Sequence, residues 1–215
     1  MKPAPLASLA GALALACATA AQAGPNAGEA TSVAAPWEFS ATVYPTSVRN
    51  GDGYTSGIVA ANRGALHLEA RASYELVGAR SAFVGYNIAG STGEFNWTLT
   101  PIIGTVWRGL NATVPGVEAS VAYKRFDAYI EAEYVDDRAP GGSAYTYVWS
   151  ELGYRPREWL RLGAVAQRTR VYGVARDVQR GPFAQFTAGP VTFGAFWFNP
   201  GAASQVLVGT MALSF

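Results

Sequence analysis

The chain of 215 residues is short of charge, of cysteine and of long apolar runs. Only 14% of its residues are charged, against about 25% in an ordinary soluble domain. Sixteen Lys and Arg face fifteen Asp and Glu. That balance offers no basic field, so nucleic acid is not an expected partner. Beyond the N-terminal region no stretch approaches the ~18 uninterrupted apolar residues that a spanning helix needs, which excludes a helical membrane protein. There is one histidine and one cysteine. Disorder is excluded in turn, because 13% of the residues are aromatic and the formal net charge is +1.

The single cysteine falls in a segment that reads as an address. Lys2 supplies a positive start, Leu6 to Ala16 an apolar run too short to span a bilayer, and Ala21-Gln22-Ala23 an A-x-A cleavage site. Residues 1–23 are therefore expected to be a signal peptide. The mature chain then has no thiol, no disulfide and no Cys-ligated metal. A rival reading takes Ala14-Leu15-Ala16-Cys17 as a lipidation site, but Ala14 stands where such sites usually carry Leu. Residues 24–36 are small, polar and punctuated by Gly and Pro, and read as a flexible lead-in.

From Trp37 to Phe215 the chain repeats a unit of about ten alternating residues followed by a turn signal. In 66–76 one parity reads Leu66, Leu68, Ala70, Ala72, Tyr74, Leu76, and the other His67, Glu69, Arg71, Ser73, Glu75. Period 2 is the strand signature, since successive side chains leave a strand on opposite faces. The pattern predicts twelve strands: 37–44, 54–62, 65–76, 81–89, 95–106, 116–126, 128–136, 144–154, 159–170, 182–188, 191–198 and 205–215. The count falls to ten if 54–62 or 182–188, where alternation is poor, is loop.

Alternation alone does not say which face is wet. A soluble barrel buries its apolar face, whereas a transmembrane barrel turns it to lipid. Aromatic placement favours lipid. Trp37, Phe39, Phe95, Trp97, Tyr123, Tyr154 and Phe215 gather at one set of strand ends, and Tyr54, Tyr74, Tyr134 and Trp197 at the other. Aliphatic residues lie between, as the two interfaces of a bilayer select. Connectors after even-numbered strands are short, as at Arg63-Gly64, Phe126-Asp127 and Gly189-Pro190. Those after odd-numbered strands are often longer, as at Pro45–Gly53, Asp137–Ser143 and Val171–Gly181, with Val77–Arg80 an exception. The expected fold is an all-β, antiparallel, up-and-down transmembrane β-barrel.

The last strand places Leu207, Gly209, Met211, Leu213 and Phe215 on one face and ends on the aromatic. This resembles the terminal strand of small Gram-negative outer-membrane β-barrel proteins. The resemblance implies an outer-membrane location, contact with outer-membrane lipid, and delivery through the barrel assembly machinery, with Met211, Leu213 and Phe215 as the assembly signal.

If the apolar face meets lipid, the polar face lines a lumen. Parity assigns to it His67, Glu69, Arg71, Glu75, Glu118, Lys124, Glu131, Glu133, Glu151 and Arg161, together with Glu38, Asn87 and Gln167. Tyr145, Tyr147 and Trp149 share that parity. An inward assignment is required because a charge at mid-depth on the lipid face costs about 2–4 kcal/mol. The expected function is a narrow porin-like channel or a structural barrel with a charged lumen, with no enzyme activity, no cofactor and no metal. The alternative is a lipid-modifying enzyme centred on His67 or the lumen carboxylates. Ser73, six residues from His67 on one strand, is too far to serve as a nucleophile paired with it, and no phosphate loop or calcium loop is present.

Overall fold

In the computed structural model of the chain, residues 35–171 and 177–215 are described. The expected leader 1–23, its Cys17, and positions 24–34 of the lead-in lie outside the described residues. Every regular element among those described is a strand: β1 (Glu38–Val48), β2 (Tyr54–Arg63), β3 (Leu66–Ala72), β4 (Arg80–Tyr86), β5 (Ile88–Thr92), β6 (Phe95–Trp107), β7 (Ala112–Tyr123), β8 (Phe126–Asp137), β9 (Tyr145–Arg157), β10 (Leu160–Val171), β11 (Asp177–Ala188), β12 (Val191–Phe198) and β13 (Val206–Ser214).

All pairings are antiparallel; they join chain neighbours except that β4 pairs with β6 and β1 with β13, so the sheet closes. β4 and β5 are one stave. Both pair with β6 in the same register, Gly85 opposite Ile102 and Ile88 opposite Leu99. The ladder lapses between them where Pro101 has no N–H to give. The result is a closed antiparallel barrel of twelve staves. The two doubtful segments are strands, β2 and β11, so the twelve-strand expectation holds and the ten-strand one does not. Closure leaves no unpaired edge.

The two ends differ. Five two-residue turns join the staves at the end that also carries both strand termini, at 64–65, 93–94, 124–125, 158–159 and 189–190. This turn end faces a loop end with longer connectors, among them 73–79, 138–144 and 199–205. The 49–53 connector is shorter than expected, because β1 runs on to Val48. Likewise β11 begins at Asp177, inside the expected loop, and 172–176 lies outside the described residues.

The outer face is apolar. Val59, Val84, Ile103, Leu152, Leu162 and Met211 are exposed along it, Leu152 by 60%. At the turn end it carries a dense aromatic ring: Trp37, Phe39, Phe95, Trp97, Tyr123, Phe126, Tyr154, Trp159, Phe186 and Phe215. At the loop end the ring is sparser, with Trp107, Tyr134 and Trp197. Two aromatics expected there turn inward. Tyr54 lies directly opposite Thr46, a buried residue of the inner face. Tyr74 is buried because β3 stops at Ala72, four residues before the alternation does. Ser73 takes a left-handed φ of 54° and its Oγ accepts the Gly78 N–H. The 73–79 connector therefore folds into the barrel mouth, carrying Tyr74, Glu75 and Ala79 to buried positions. The exception at Val77–Arg80 disappears, since that connector is seven residues long.

Candidate functional site in the barrel interior

Inward-facing residues fill the barrel with two kinds of material. One side is apolar. Trp149 from β9 packs edge-on against Phe196 and Phe198 of β12, at centroid distances of 5.5 and 5.4 Å, and Phe183 stacks obliquely on Phe196 at 5.1 Å. Tyr44, Val206 and Val208 complete this side. Large aromatics fit because small residues face them: a Cβ at Gly163 would lie 2.6 Å from the Phe183 ring.

The other side is charged, and Arg71 is its centre. The Arg71 Nε–H donates to Glu69 Oε2 at 2.6 Å. Its Nη1–H donates to Glu133 Oε1 at 2.7 Å and Glu131 Oε1 at 3.3 Å. Glu75 and Glu118 lie 3.8 and 3.7 Å away. Five carboxylates thus stand within 4 Å of one guanidinium. Glu118 and Glu131 are also direct partners across the β7–β8 ladder. Like charges opposite one another oppose pairing, so Arg71 offsets a repulsion built into that wall. Two rings lie against the guanidinium, 4.1 Å to the Phe83 centroid and 4.6 Å to that of Tyr74, which adds cation–π attraction away from water. Glu131, fully buried, also accepts hydrogen bonds from the hydroxyls of Tyr74 (3.1 Å) and Tyr129 (3.3 Å). Glu75 accepts from Ser81 Oγ at 2.6 Å, and its backbone carbonyl from the Tyr145 hydroxyl at 3.2 Å. Those bonds tie the inward 73–79 connector to β4 and β9.

A second ionic group lies nearer the turn end. Arg161 of β10 donates through Nε to Asp127 Oδ1 of β8 at 2.7 Å, and through Nη1 to Glu151 Oε2 of β9 at 2.5 Å and Gln185 Oε1 of β11 at 3.1 Å. Arg155 pairs with the other Asp127 oxygen at 3.3 Å. Gly153 makes this possible, since a Cβ there would sit 2.5 Å from Arg161 Nε.

His67, at the turn-end side of the charged wall, has both ring nitrogens engaged. Nδ1 meets Asn62 Oδ1 at 2.8 Å and Nε2 meets Glu69 Oε1 at 3.1 Å. Neither bonds a hydroxyl, so among the described residues no serine is placed to be activated by this imidazole.

The structure thus places His67, Glu69, Arg71, Glu75, Glu118, Glu131 and Glu133 in one group, and Glu151 and Arg161 in another. Gln167 is buried, where its side-chain N–H donates to Gln179, and Asn87 is half-buried and bonded to Asn62. Lys124 does not face the lumen. It occupies the two-residue turn after β7 with a left-handed φ of 55°, and its exposed ammonium lies 3.7 Å from Glu94. Asp127, expected in that turn, takes the inward place. The turn sits at 124–125 instead of 126–127, and the parity of Tyr129, Glu131 and Glu133 extended backward points to Asp127. Glu38 is exposed at the rim. Tyr129 and Phe83 are not among the lumen residues expected from the sequence, and Tyr74 is expected on the outer face. Tyr129 shares the parity of Glu131, which could have found it, whereas Tyr74 lay on the opposite parity until the chain reversed. Met211, Leu213 and Phe215 are exposed on the outer face, and Phe215 exchanges backbone hydrogen bonds with Phe39.

No family model matches the chain, and no curated protein matches it. Among solved structures the barrel is similar to the KdgM porin, with a TM-score of 0.58 at 9% identity over 82% of this chain and 99% of that one. The OccK5 (OpdH) structure from Pseudomonas aeruginosa aligns with a TM-score of 0.44 at 10% identity, over 83% of this chain and 66% of that one. The likeness to the KdgM porin is one of fold.

Proposed function

We propose that the chain is an outer-membrane, porin-like barrel whose passage is narrow, closed at rest and cation-preferring, and that it is not a lipid-modifying enzyme. The observation that carries this reading is the inversion of the barrel. An apolar belt between two aromatic rings faces outward, and five glutamates surround one arginine inside. Such an exterior suits a bilayer, and a closed barrel is the β-structure that satisfies every backbone group there. Fixed carboxylates in a constriction favour cations. Among the described residues His67 bonds Asn62 and Glu69 and no hydroxyl, which leaves an enzyme centred on His67 without a nucleophile. The fold shared with the KdgM porin supports the same reading. Met211, Leu213 and Phe215 would then be the strand face that the assembly machinery engages.

Planar-bilayer recording of the refolded mature chain tests the proposal. The expected result is small, cation-selective steps that grow when Trp149 is cut to Ala. Anion selectivity would sink it. Silence in both proteins would leave a structural barrel, a second reading favoured by the complete burial of Trp149, Phe196, Phe198 and Glu131.

A further inference from the structure

We infer that His67, Glu69 and Glu118 form a binding site for one divalent transition cation of the zinc or manganese type. One ligand atom from each residue lies within 4.8 Å of the others. A tetrahedral ion with bonds of about 2.1 Å holds its ligand atoms about 3.4 Å apart, so a small closing movement of the glutamates suffices.

Three features beyond proximity point to a cation. The first is the orientation of the imidazole. Asn62 Oδ1 is an acceptor, since it also receives the Asn87 Nδ2–H at 3.0 Å. Asn87 is oriented in turn by Thr100, whose hydroxyl donates to Asn87 Oδ1 at 2.7 Å. The His67 proton therefore sits on Nδ1 and points at Asn62, at 2.8 Å. A carbonyl holding the far nitrogen of the ring is the usual outer support of a metal-binding histidine. The second is that the Nε2 lone pair then faces Glu69 Oε1 at 3.1 Å. Two acceptors at that distance need positive charge between them. The third is Glu118. It is 7% exposed, and the ion pair it makes is a long one. Its nearest cation, Arg71 Nη2, is 3.7 Å away, and that nitrogen has no hydrogen-bond partner of its own. A proton shared by His67 and Glu69 satisfies that pair and leaves Glu118 with its long pair to Arg71 alone. A divalent ion serves all three.

Charge supports the same conclusion. Arg71 is the permanent cation among five glutamates within 4 Å, and a buried surplus of acid is neutralised by bound protons or by a bound cation. The imidazole selects against magnesium and calcium, which prefer all-oxygen shells. The ligands sit on β3 and β7, stave walls that backbone hydrogen bonds keep in place.

The test uses the refolded, tag-free mature barrel stripped with chelator and titrated calorimetrically with Zn²⁺ and with Mn²⁺. The expected result is one ion per chain, with affinity weakened by about tenfold or more in His67→Gln and in Glu118→Gln, the scale on which even an outer-shell partner counts. Asp136→Asn, at an exposed acid of the loop end, should bind as the parent does. Should a variant fail to fold, as judged by loss of the heat-dependent gel shift, the parent protein still decides the matter. Its single histidine should give bound Mn²⁺ one imidazole nitrogen coupling in pulsed electron paramagnetic resonance. No saturable binding, binding that survives both substitutions, or bound Mn²⁺ without nitrogen coupling would overturn the site.

Discussion

The two ionic groups inside the barrel are built on opposite principles. Around Arg161 the charges balance: Arg161 and Arg155 meet Asp127 and Glu151, and all four come from β8, β9 and β10, which are neighbours. Around Arg71 they do not balance. One cation from β3 meets acids from β7, β8 and the 73–79 connector, reaching across the interior. The balanced group acts as a staple between adjacent staves. The unbalanced group spans the lumen and keeps a surplus of acid there. On the proposed reading, function belongs at Arg71 and structure at Arg161.

Removing each arginine is the strongest way to break the comparison. Arg71→Met leaves five buried carboxylates without their guanidinium, and stripping one partner from a buried ionic group costs about 3–5 kcal/mol. Arg161→Met should cost clearly less. Asp127 keeps Arg155, and Glu151 keeps the Trp149 indole N–H at 2.9 Å. Urea unfolding in detergent, followed by the gel shift, measures both. An Arg161 loss equal to or larger than the Arg71 loss would remove the distinction.

Next in size is the face reversal. Ala70 is exposed on the outer face of β3, one residue from Arg71. Ala70→Arg places a charge against lipid and should destabilise the inserted barrel by about 2–4 kcal/mol. Full tolerance of this change would mean that water bathes that face.

The terminal strand should matter through assembly. Leu213→Ser with Phe215→Ser should lower membrane insertion more than Thr210→Ala with Ser214→Ala, whose side chains lie on the inner face. Equal yields of inserted barrel would separate Met211, Leu213 and Phe215 from any assembly role. The smallest effect is expected at Lys124. Its exposed pair with Glu94 is worth roughly 0–1 kcal/mol. Lys124→Ala should leave both stability and ion preference nearly unchanged, because the ammonium is outside the lumen.

Much of this was legible in the sequence, for a plain physical reason. Strand parity is local, so alternation around Glu69, Arg71, Glu131, Glu133, Glu151 and Arg161 determines which way each side chain points. What parity does not contain is the stagger of the staves. That Glu133 reaches Arg71, or that Glu118 stands beside His67, depends on how the sheet closes. Turn placement failed where composition was ambiguous. Lys124-Arg125 carries no Gly, Pro or Asn, yet it forms the turn, and a two-residue slip exchanged the roles of Lys124 and Asp127. At Ser73 the pattern continued while the backbone reversed, so Tyr74 and Glu75 read as strand although they fold into the mouth as a connector. Both misreadings occur at stave ends, where one positive φ outweighs a run of alternating residues.

The central claim is that the apolar face of the barrel meets lipid and the polar face is enclosed. Nitroxide labels on single cysteines at Met211 and Thr210, adjacent residues of β13 on opposite faces, test it directly in reconstituted vesicles. Cys17 lies in the expected leader, so the mature chain brings no competing thiol. Collision with oxygen, which concentrates in the bilayer, should be high at position 211 and low at 210, and a water-soluble nickel complex should reach neither well. High nickel collision at 211 would contradict the account, since that face would then be exposed to water.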